Sequence, residues 1–195
     1  MEKIILASGS SRRKEILKKL HFPFRVIIPD IQEEKINEPD IEHLVRILAE
    51  EKVKKAVKML KNRDFKWVLG VDTLVTLNNQ PFGKPQNRED AEVMLNKLSG
   101  NVHKVISGIA LLPRPGTQVQ SKTAISEVKF KNLLKEEIDY YIETGEWEGA
   151  AGAYKIQERA SFFIEWIKGS YSNIVGLPIS VFYGMLREND YNFKQ

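Results

Sequence analysis

The chain has 195 residues, 42% of them hydrophobic, which is enough to form a substantial core in one domain. Its net charge of +4 comes from 30 Lys and Arg interleaved with 26 Asp and Glu, without the basic stripe and aromatics of a nucleic-acid binder. The absence of cysteine excludes disulfides and thiol catalysis and fits a reducing cytoplasm, and no stretch approaches the roughly 18 apolar residues of a membrane span.

The N-terminal segment predicts a strand, a turn of small residues and a helix. Residues 4–7 form an apolar run, and the apolar spacing over residues 16–20 indicates a buried helix face. The turn over residues 8–11 contains three serines and a glycine at the helix N-terminus, where backbone N–H groups attract anions. Arg12 and Arg13 follow, although the helix dipole disfavours cations there unless an anion is bound. A phosphate-rich ligand and a serine-capped, solvated basic helix are both open interpretations.

The rest of the chain alternates between strand and helix patterns. Further strands are predicted within residues 21–29, 67–77, 105–112 and 122–130, and further helices over residues 40–62, 87–98, 135–144 and 178–187. The strands near 105–112 and 122–130 predict an antiparallel hairpin, and residues 146–177 predict an irregular segment. The charged residues of the 40–62 helix are predicted to form a solvated face. We therefore expect an α/β fold with a mixed, twisted sheet flanked by helices and two lobes around a central cleft.

Asp72 is the most informative single residue. It interrupts the almost continuously apolar stretch of residues 67–77, which predicts a strand buried on both faces. An ionised carboxylate buried there costs several kcal/mol unless it is paired. The partner can be a metal that approaches closely beside Gly70, or local backbone amides at a bulge.

Other polar residues give weaker signals. Glu33 and Glu34 can add oxygen ligands for a divalent ion, and Lys84, between a glycine and a proline, can meet a phosphate. Taken alone, however, the local sequence favours ordinary exposed loop residues at all three positions. Gln157 can pair with a nucleobase edge through its amide or can be a surface strand residue. The three histidines lack metal-ligand spacing and are expected to be structural or exposed: His21, His43 and His103.

In order, these pieces resemble the Maf family of nucleoside triphosphate pyrophosphatases. The matching stretches are Leu6-Ala7-Ser8-Gly9-Ser10-Ser11-Arg12-Arg13, Gly70-Val71-Asp72-Thr73-Leu74-Val75, Gly83-Lys84-Pro85, Leu98-Ser99-Gly100 through His103 to Ser107-Gly108, and Gly152-Ala153-Tyr154-Lys155-Ile156-Gln157. They span nearly the whole chain, so the resemblance implies one Maf-like domain over residues 1–195 with a Maf/ITPase-like fold.

The resemblance also implies an activity, the metal-dependent hydrolysis of a nucleoside triphosphate to its monophosphate and pyrophosphate. It assigns the triphosphate to Ser8, Ser10, Arg12, Arg13 and Lys84, and the base and sugar to Gln157 and Thr73. Glu33 and Asp72 would hold Mg²⁺ or Mn²⁺, and Asp72 is also a candidate base for the attacking water. The implied catalytic set is therefore Asp72, Glu33 and Lys84.

The end of the last motif resembles the family branch that acts on dTTP and UTP rather than the branch that acts on 7-methyl-GTP. Gly149-Ala150 stands where the family usually has Asp-Lys, which leaves the base preference open. The implied role is cytoplasmic housekeeping of the nucleotide pool by a homodimer. The alternatives are a pyrophosphatase with 7-methyl-GTP preference and a nucleotide-binding regulator of septum formation with little turnover.

Overall fold

The structure, a computed structural model, describes residues 1–32, 36, 38–60, 65–114, 116 and 118–194. The helices are α1 (Ser11–Lys19), α2 (Ile41–Met59), α3 (Arg88–Leu98), α4 (Lys135–Glu143), α5 (Tyr171–Val175) and α6 (Ile179–Glu188). The strands are β1 (Ile4–Ala7), β2 (Phe24–Ile27), β3 (Trp67–Leu77), β4 (Gln80–Phe82), β5 (Val102–Pro113), β6 (Gln120–Phe130) and β7 (Ile164–Lys168).

The seven strands form one mixed sheet in the order β2-β1-β3-β5-β6-β7, with β4 paired to β3. Strand β1 runs parallel to both β2 and β3, so that Ala7 lies opposite Ile27 and Gly70. Strands β3 and β4 are antiparallel and are joined at Asn78 and Asn79, which both have positive φ. Two left-handed residues are what a tight hairpin turn requires. The mixed α/β sheet predicted from the sequence is confirmed.

The chain divides into two compact units. Unit 1 comprises Met1–Asp72, Ser107–Ala124 and Gly176–Gln195, and unit 2 comprises Thr73–Ile106 and Ile125–Val175. The cleft between two lobes stays a prediction.

The core of unit 1 lies on both faces of the sheet. Ile4 and Leu6 pack with apolar residues of α1 and α6, whereas Ile5 and Ala7 pack with apolar residues of α2. Alternate side chains of a strand point to opposite faces, so an uninterrupted apolar run is what a strand covered on both sides needs. Each fully buried Ile or Leu contributes about 2 kcal/mol.

Two glycines allow α2 to lie directly on the sheet. A Cβ on Gly70 would overlap the Ala49 carbonyl and lie 2.8 Å from a methyl of Val53, and a Cβ on Gly108 would overlap the Val45 carbonyl. Gly70 therefore admits the backbone of α2, and the prediction that it lets a ligand approach the strand is wrong. This close packing fixes α2, and with it Lys52, relative to β3.

Unit 2 packs α3 against α4 and against the short 3₁₀ turn Ala151–Ala153. Helix α3 begins at Asn87, whose side chain accepts a hydrogen bond from Asp90 N–H, as the sequence predicts. A cluster of perpendicular or tilted rings fills the interior of this unit: His103, Phe130, Tyr141, Tyr154 and Phe163.

Most predicted elements are confirmed, and the differences are local. Strand β7 and helix α5 lie in the segment that was predicted to be irregular. Helix α2 ends at Met59, because Leu60 has an extended backbone, and residues 61 and 62 of the predicted helix lie outside the described residues. Strands β5 and β6 are neighbours in the sheet, as their predicted hairpin requires. No helix within the described ranges is long and apolar enough to cross a membrane.

Candidate active site

The turn between β1 and α1 is held by its own polar side chains. Ser8 is buried, and its Oγ accepts hydrogen bonds from Ser10 N–H at 3.3 Å and from Arg13 Nη1 at 2.9 Å. Ser10 occupies the N-cap position of α1 in an extended conformation, but its side chain makes no capping hydrogen bond. The turn therefore does not form the serine-capped helix that was the alternative interpretation of the sequence.

Arg13 is part of the protein interior. Its side chain is 9% exposed, and Nε donates to the carbonyl of Gly176 at 2.9 Å while Nη1 donates to Ser8. Arg12 is half-buried. A guanidinium with a fixed fork of donors can hold two acceptors in one geometry, so Arg13 orients Ser8 and ties the turn to residue 176.

Asp72 is buried in β3, at 7% exposure, and forms an ion pair with Lys52. The Lys52 Nζ atom lies 2.5 Å from Asp72 Oδ1. The sequence argument that a buried Asp72 needs a partner is confirmed, but this partner is an ammonium from α2 rather than a local backbone amide. The prediction that the charged residues of α2 form a solvated face is wrong for Lys52, whose side chain is only 14% exposed.

The register of the parallel strands brings the turn and Asp72 to the same end of the sheet. Because Ala7 lies opposite Gly70, Ser8 follows β1 at the level where β3 continues towards Asp72. Ligands of open parallel sheets bind at the carboxyl ends of the strands. Unit 1 therefore places four polar side chains towards the same end of the sheet: Ser8, Arg13, Asp72 and Lys52.

Asp72 fits the requirement of a hard divalent cation for carboxylate oxygen. The second predicted ligand, Glu33, lies outside the described residues. Within the part of the chain that the structure describes, no group of three His, Cys, Asp or Glu side chains is placed to hold a metal ion. A metal at Asp72 would therefore draw its other ligands from Glu33, from water or from phosphate oxygens of a substrate.

Three predicted residues lie in unit 2. Thr73 is half-buried in β3, directly after Asp72. Lys84 is exposed in the turn after β4, and the carbonyl before it, that of Gly83, accepts a hydrogen bond from Gly152 N–H at 3.0 Å. Gln157 is half-buried in a turn, so its interpretation as a surface strand residue is wrong.

The histidines behave as expected. His21 is exposed at a positive φ of 57°, His43 pairs with Glu38 at 2.6 Å, and His103 is buried. Burial lowers the pKa of His103 to about 4.

Sequence reasoning missed Lys52, although a signal was present. Lys52 follows Leu48 by four residues and Ala49 by three, so it lies on the apolar stripe of α2. A lysine on a buried helix stripe needs an anionic partner, and the buried Asp72 was expected to need a partner of its own.

The family model described as Maf-like protein matches residues 3–189. The chain belongs to the Maf family. A Treponema denticola relative named dTTP/UTP pyrophosphatase is 43% identical over 200 residues, covering 98% of each chain. A Clostridium botulinum relative of the same name is 42% identical over 193 residues, covering 98% of this chain and all of the relative.

Among solved structures, the Staphylococcus aureus Ham1 protein is similar with a TM-score of 0.54 and 16% identity, covering 96% of this chain and 99% of that one. At this identity the similarity shows the fold alone. It agrees with the Maf/ITPase-like fold that the sequence predicts.

Proposed function

We propose that this Maf-family chain hydrolyses dTTP and UTP to the corresponding monophosphates and pyrophosphate. The observation that carries the proposal is that the buried Asp72 lies two residues beyond Gly70 of β3, at the level of the Ser8–Arg13 turn that follows β1. The named activity of the Treponema and Clostridium relatives supports the same reaction.

The turn after β1 is assigned to the triphosphate. Ser8, Ser10, Arg12 and Arg13 surround the N-terminus of α1, where donors and the helix dipole favour an anion. Arg13 is already oriented by Ser8 and the Gly176 carbonyl, so little rearrangement is needed when phosphate binds. Lys84 is the second cation source, and its exposed ammonium stabilises charge that develops on the leaving pyrophosphate.

Asp72 is assigned as the base. Water attacks the α-phosphorus, the bond from that phosphorus to the bridging oxygen of the β-phosphate breaks, and the water proton passes to a carboxylate. In this proposal Oδ2 of Asp72 takes the proton, because Lys52 engages Oδ1. Lys52 compensates the charge of the buried carboxylate and fixes its orientation.

A divalent ion, Mg²⁺ or Mn²⁺, is assigned to Asp72 and Glu33. When bound, it supplies positive charge that polarises the phosphates. Gln157 and Thr73 are assigned to the base and sugar. We further propose that residues 1–195 act as one Maf-like domain in a cytoplasmic homodimer that cleans the nucleotide pool.

Pyrophosphate release from a panel of nucleoside triphosphates tests the proposal, with Mg²⁺ or Mn²⁺ and with Asp72→Asn as the comparison. Turnover of dTTP and UTP above that of 7-methyl-GTP, lost in Asp72→Asn, is the expected result. Binding of nucleotides without release of pyrophosphate from any of them overturns the enzyme and favours a regulatory binder.

A further inference from the structure

The segment Gly152–Tyr154, which we call the hook, precedes Gln157 in unit 2 and has a strained backbone. Gly152 and the adjacent Ala153 both have left-handed backbones, with φ of 68° and 61°. Alanine adopts this conformation only at an energetic cost, so the surrounding structure must hold it in place. Both residues are buried, so contacts with neighbouring residues surround them.

The first end of the hook is fixed against β3 and the Lys84 turn. Gly152 N–H donates to the Gly83 carbonyl at 3.0 Å. A Cβ on Gly152 would lie 3.0 Å from a methyl of Val75, so the glycine lies against the strand. Both the left-handed conformation and this tight contact therefore favour glycine here.

The second end of the hook is fixed by a buried pair of neutral polar groups. The Tyr154 hydroxyl and His103 Nε2 share a hydrogen bond of 2.9 Å, and both residues are at most 5% exposed. Their rings are nearly perpendicular, and Phe130 packs edge-on against both. Burial lowers the pKa of His103 to about 4 and raises that of Tyr154, so the pair is uncharged at neutral pH.

The fixed position continues from Tyr154 towards Gln157. The backbone N–H of Lys155 donates to the hydroxyl of the buried Tyr141 at 3.1 Å. The Lys155 carbonyl in turn accepts from Glu158 N–H at 3.1 Å, which closes the turn that contains Gln157. The backbone before Gln157 is therefore tied to the buried Tyr141, and the backbone after it is tied to the Lys155 carbonyl.

A primary amide cannot choose between uracil and cytosine by its chemistry alone. It carries one acceptor and one donor group, so a half-turn of the amide reverses the pattern it presents. One orientation matches the N3–H and O4 of uracil or thymine, and the reversed orientation matches N3 and the amino group of cytosine. Discrimination therefore requires that the amide be held in one position and orientation.

We propose that the His103–Tyr154 hydrogen bond holds the segment Gly152–Gln157 in place and thereby sets the preference for uracil and thymine over cytosine. Both are positioning residues that act through Gln157. This inference rests on the proposed function, in which Gln157 lies at the base.

The test is the ratio of kcat/KM for UTP to kcat/KM for CTP, measured by pyrophosphate release. The ratio does not depend on the concentration of active enzyme, so partial unfolding does not change it. We expect the ratio to fall about tenfold in Tyr154→Phe and in His103→Leu. It should fall no further in the double variant, because each single variant already removes the same hydrogen bond. Tyr191→Phe is the matched control, because it loses a buried hydroxyl that donates to the Glu2 carbonyl at 2.6 Å in unit 1, and it should keep the ratio.

An unchanged ratio in Tyr154→Phe overturns the inference. A second pair of variants serves if Tyr154→Phe does not fold. His103→Gln keeps a hydrogen-bonding group for Tyr154 and should keep the ratio within about threefold, whereas His103→Leu should not. Equal effects of these two variants also overturn it. Failure of the proposed function is seen separately, as a wild-type protein that releases no pyrophosphate from any nucleotide.

Discussion

The two units bury polar groups in different ways. In unit 1 the charged side chains that are withdrawn from solvent are paired: Arg13 with Ser8 and the Gly176 carbonyl, and Lys52 with Asp72. In unit 2 the buried pair of His103 and Tyr154 is neutral, and the cation Lys84 is exposed. Stability and activity should therefore depend on the same residues in unit 1, whereas in unit 2 the exposed Lys84 should affect turnover without affecting stability.

Asp72→Asn should give the largest effect and should lower both quantities. The change leaves the Lys52 ammonium buried without its counter-charge, which costs about 3 kcal/mol of unfolding free energy. Loss of the proposed base should also reduce kcat by about 1,000-fold or more. Urea unfolding and pyrophosphate release measure the two effects.

The double variant Lys52→Met/Asp72→Asn separates them. Removal of both charges should recover most of the unfolding free energy, because an apolar side chain replaces the buried ammonium, while activity stays lost. A double variant that regains activity would contradict the role assigned to Asp72.

Arg13→Lys tests whether the Arg13 guanidinium stabilises the fold of unit 1 in addition to its proposed binding of phosphate. Lysine cannot reproduce the fork that joins Ser8 and the Gly176 carbonyl, so two charge-assisted hydrogen bonds are lost, at about 3 kcal/mol together. Arg25→Lys, at an exposed position of β2, is the control and should change the unfolding free energy by less than about 1 kcal/mol. Equal destabilisation by the two variants would contradict the structural role assigned to the buried guanidinium of Arg13.

Lys84→Met should lower activity without lowering stability. The ammonium is exposed, and its turn is held by the Gly83 carbonyl rather than by the side chain. We expect kcat/KM for dTTP to fall about 30-fold, which is about 2 kcal/mol, with the midpoint of urea unfolding unchanged. Lys104→Met removes another exposed lysine of unit 2 and should leave both quantities as in the wild type. A Lys84 variant with full activity would remove this residue from the site.

The strands that form the core were predictable from sequence because both of their faces are buried. Strand β1 and strand β3 appear as apolar runs, and their predicted bounds agree with the structure. Strand β7 was missed because Glu165, Trp166, Ile167 and Lys168 are all exposed, so no alternation of apolar and polar residues marks it. Its strand conformation comes from pairing with β6, which is a long-range contact.

The same limit applies to the site. The need of Asp72 for a partner follows from one strand, but the identity of Lys52 depends on how α2 lies on β3 through Gly70. Likewise His103 and Tyr154 are 51 positions apart and meet only after unit 2 has folded. The residue types of the site can therefore be predicted from sequence, whereas the pairs that orient them depend on tertiary packing.

The smallest effect that we predict is a pH dependence that arises in unit 2. His103 is buried and its folded pKa is about 4, below its ordinary value of 6.5, because burial disfavours the charged ring. Between these values the unfolded chain binds more protons than the folded chain, so the unfolding free energy falls as the pH is lowered from 6.5 towards 4. At pH 5.5, which is one unit below the unfolded pKa, the loss of unfolding free energy should be about 1.4 kcal/mol.

Urea unfolding at pH 7.5 and 5.5 measures this loss against the background from the carboxylates, which the variants share. His103→Gln removes the titration, so its unfolding free energy should fall by about 1.4 kcal/mol less than that of the wild type over this range. His21→Asn is the control, since His21 is exposed and asparagine tolerates its positive φ. It should keep the wild-type pH dependence. If His103→Gln also keeps it, the buried pair of unit 2 is not held neutral by burial, and the contrast with the charged pairs of unit 1 fails.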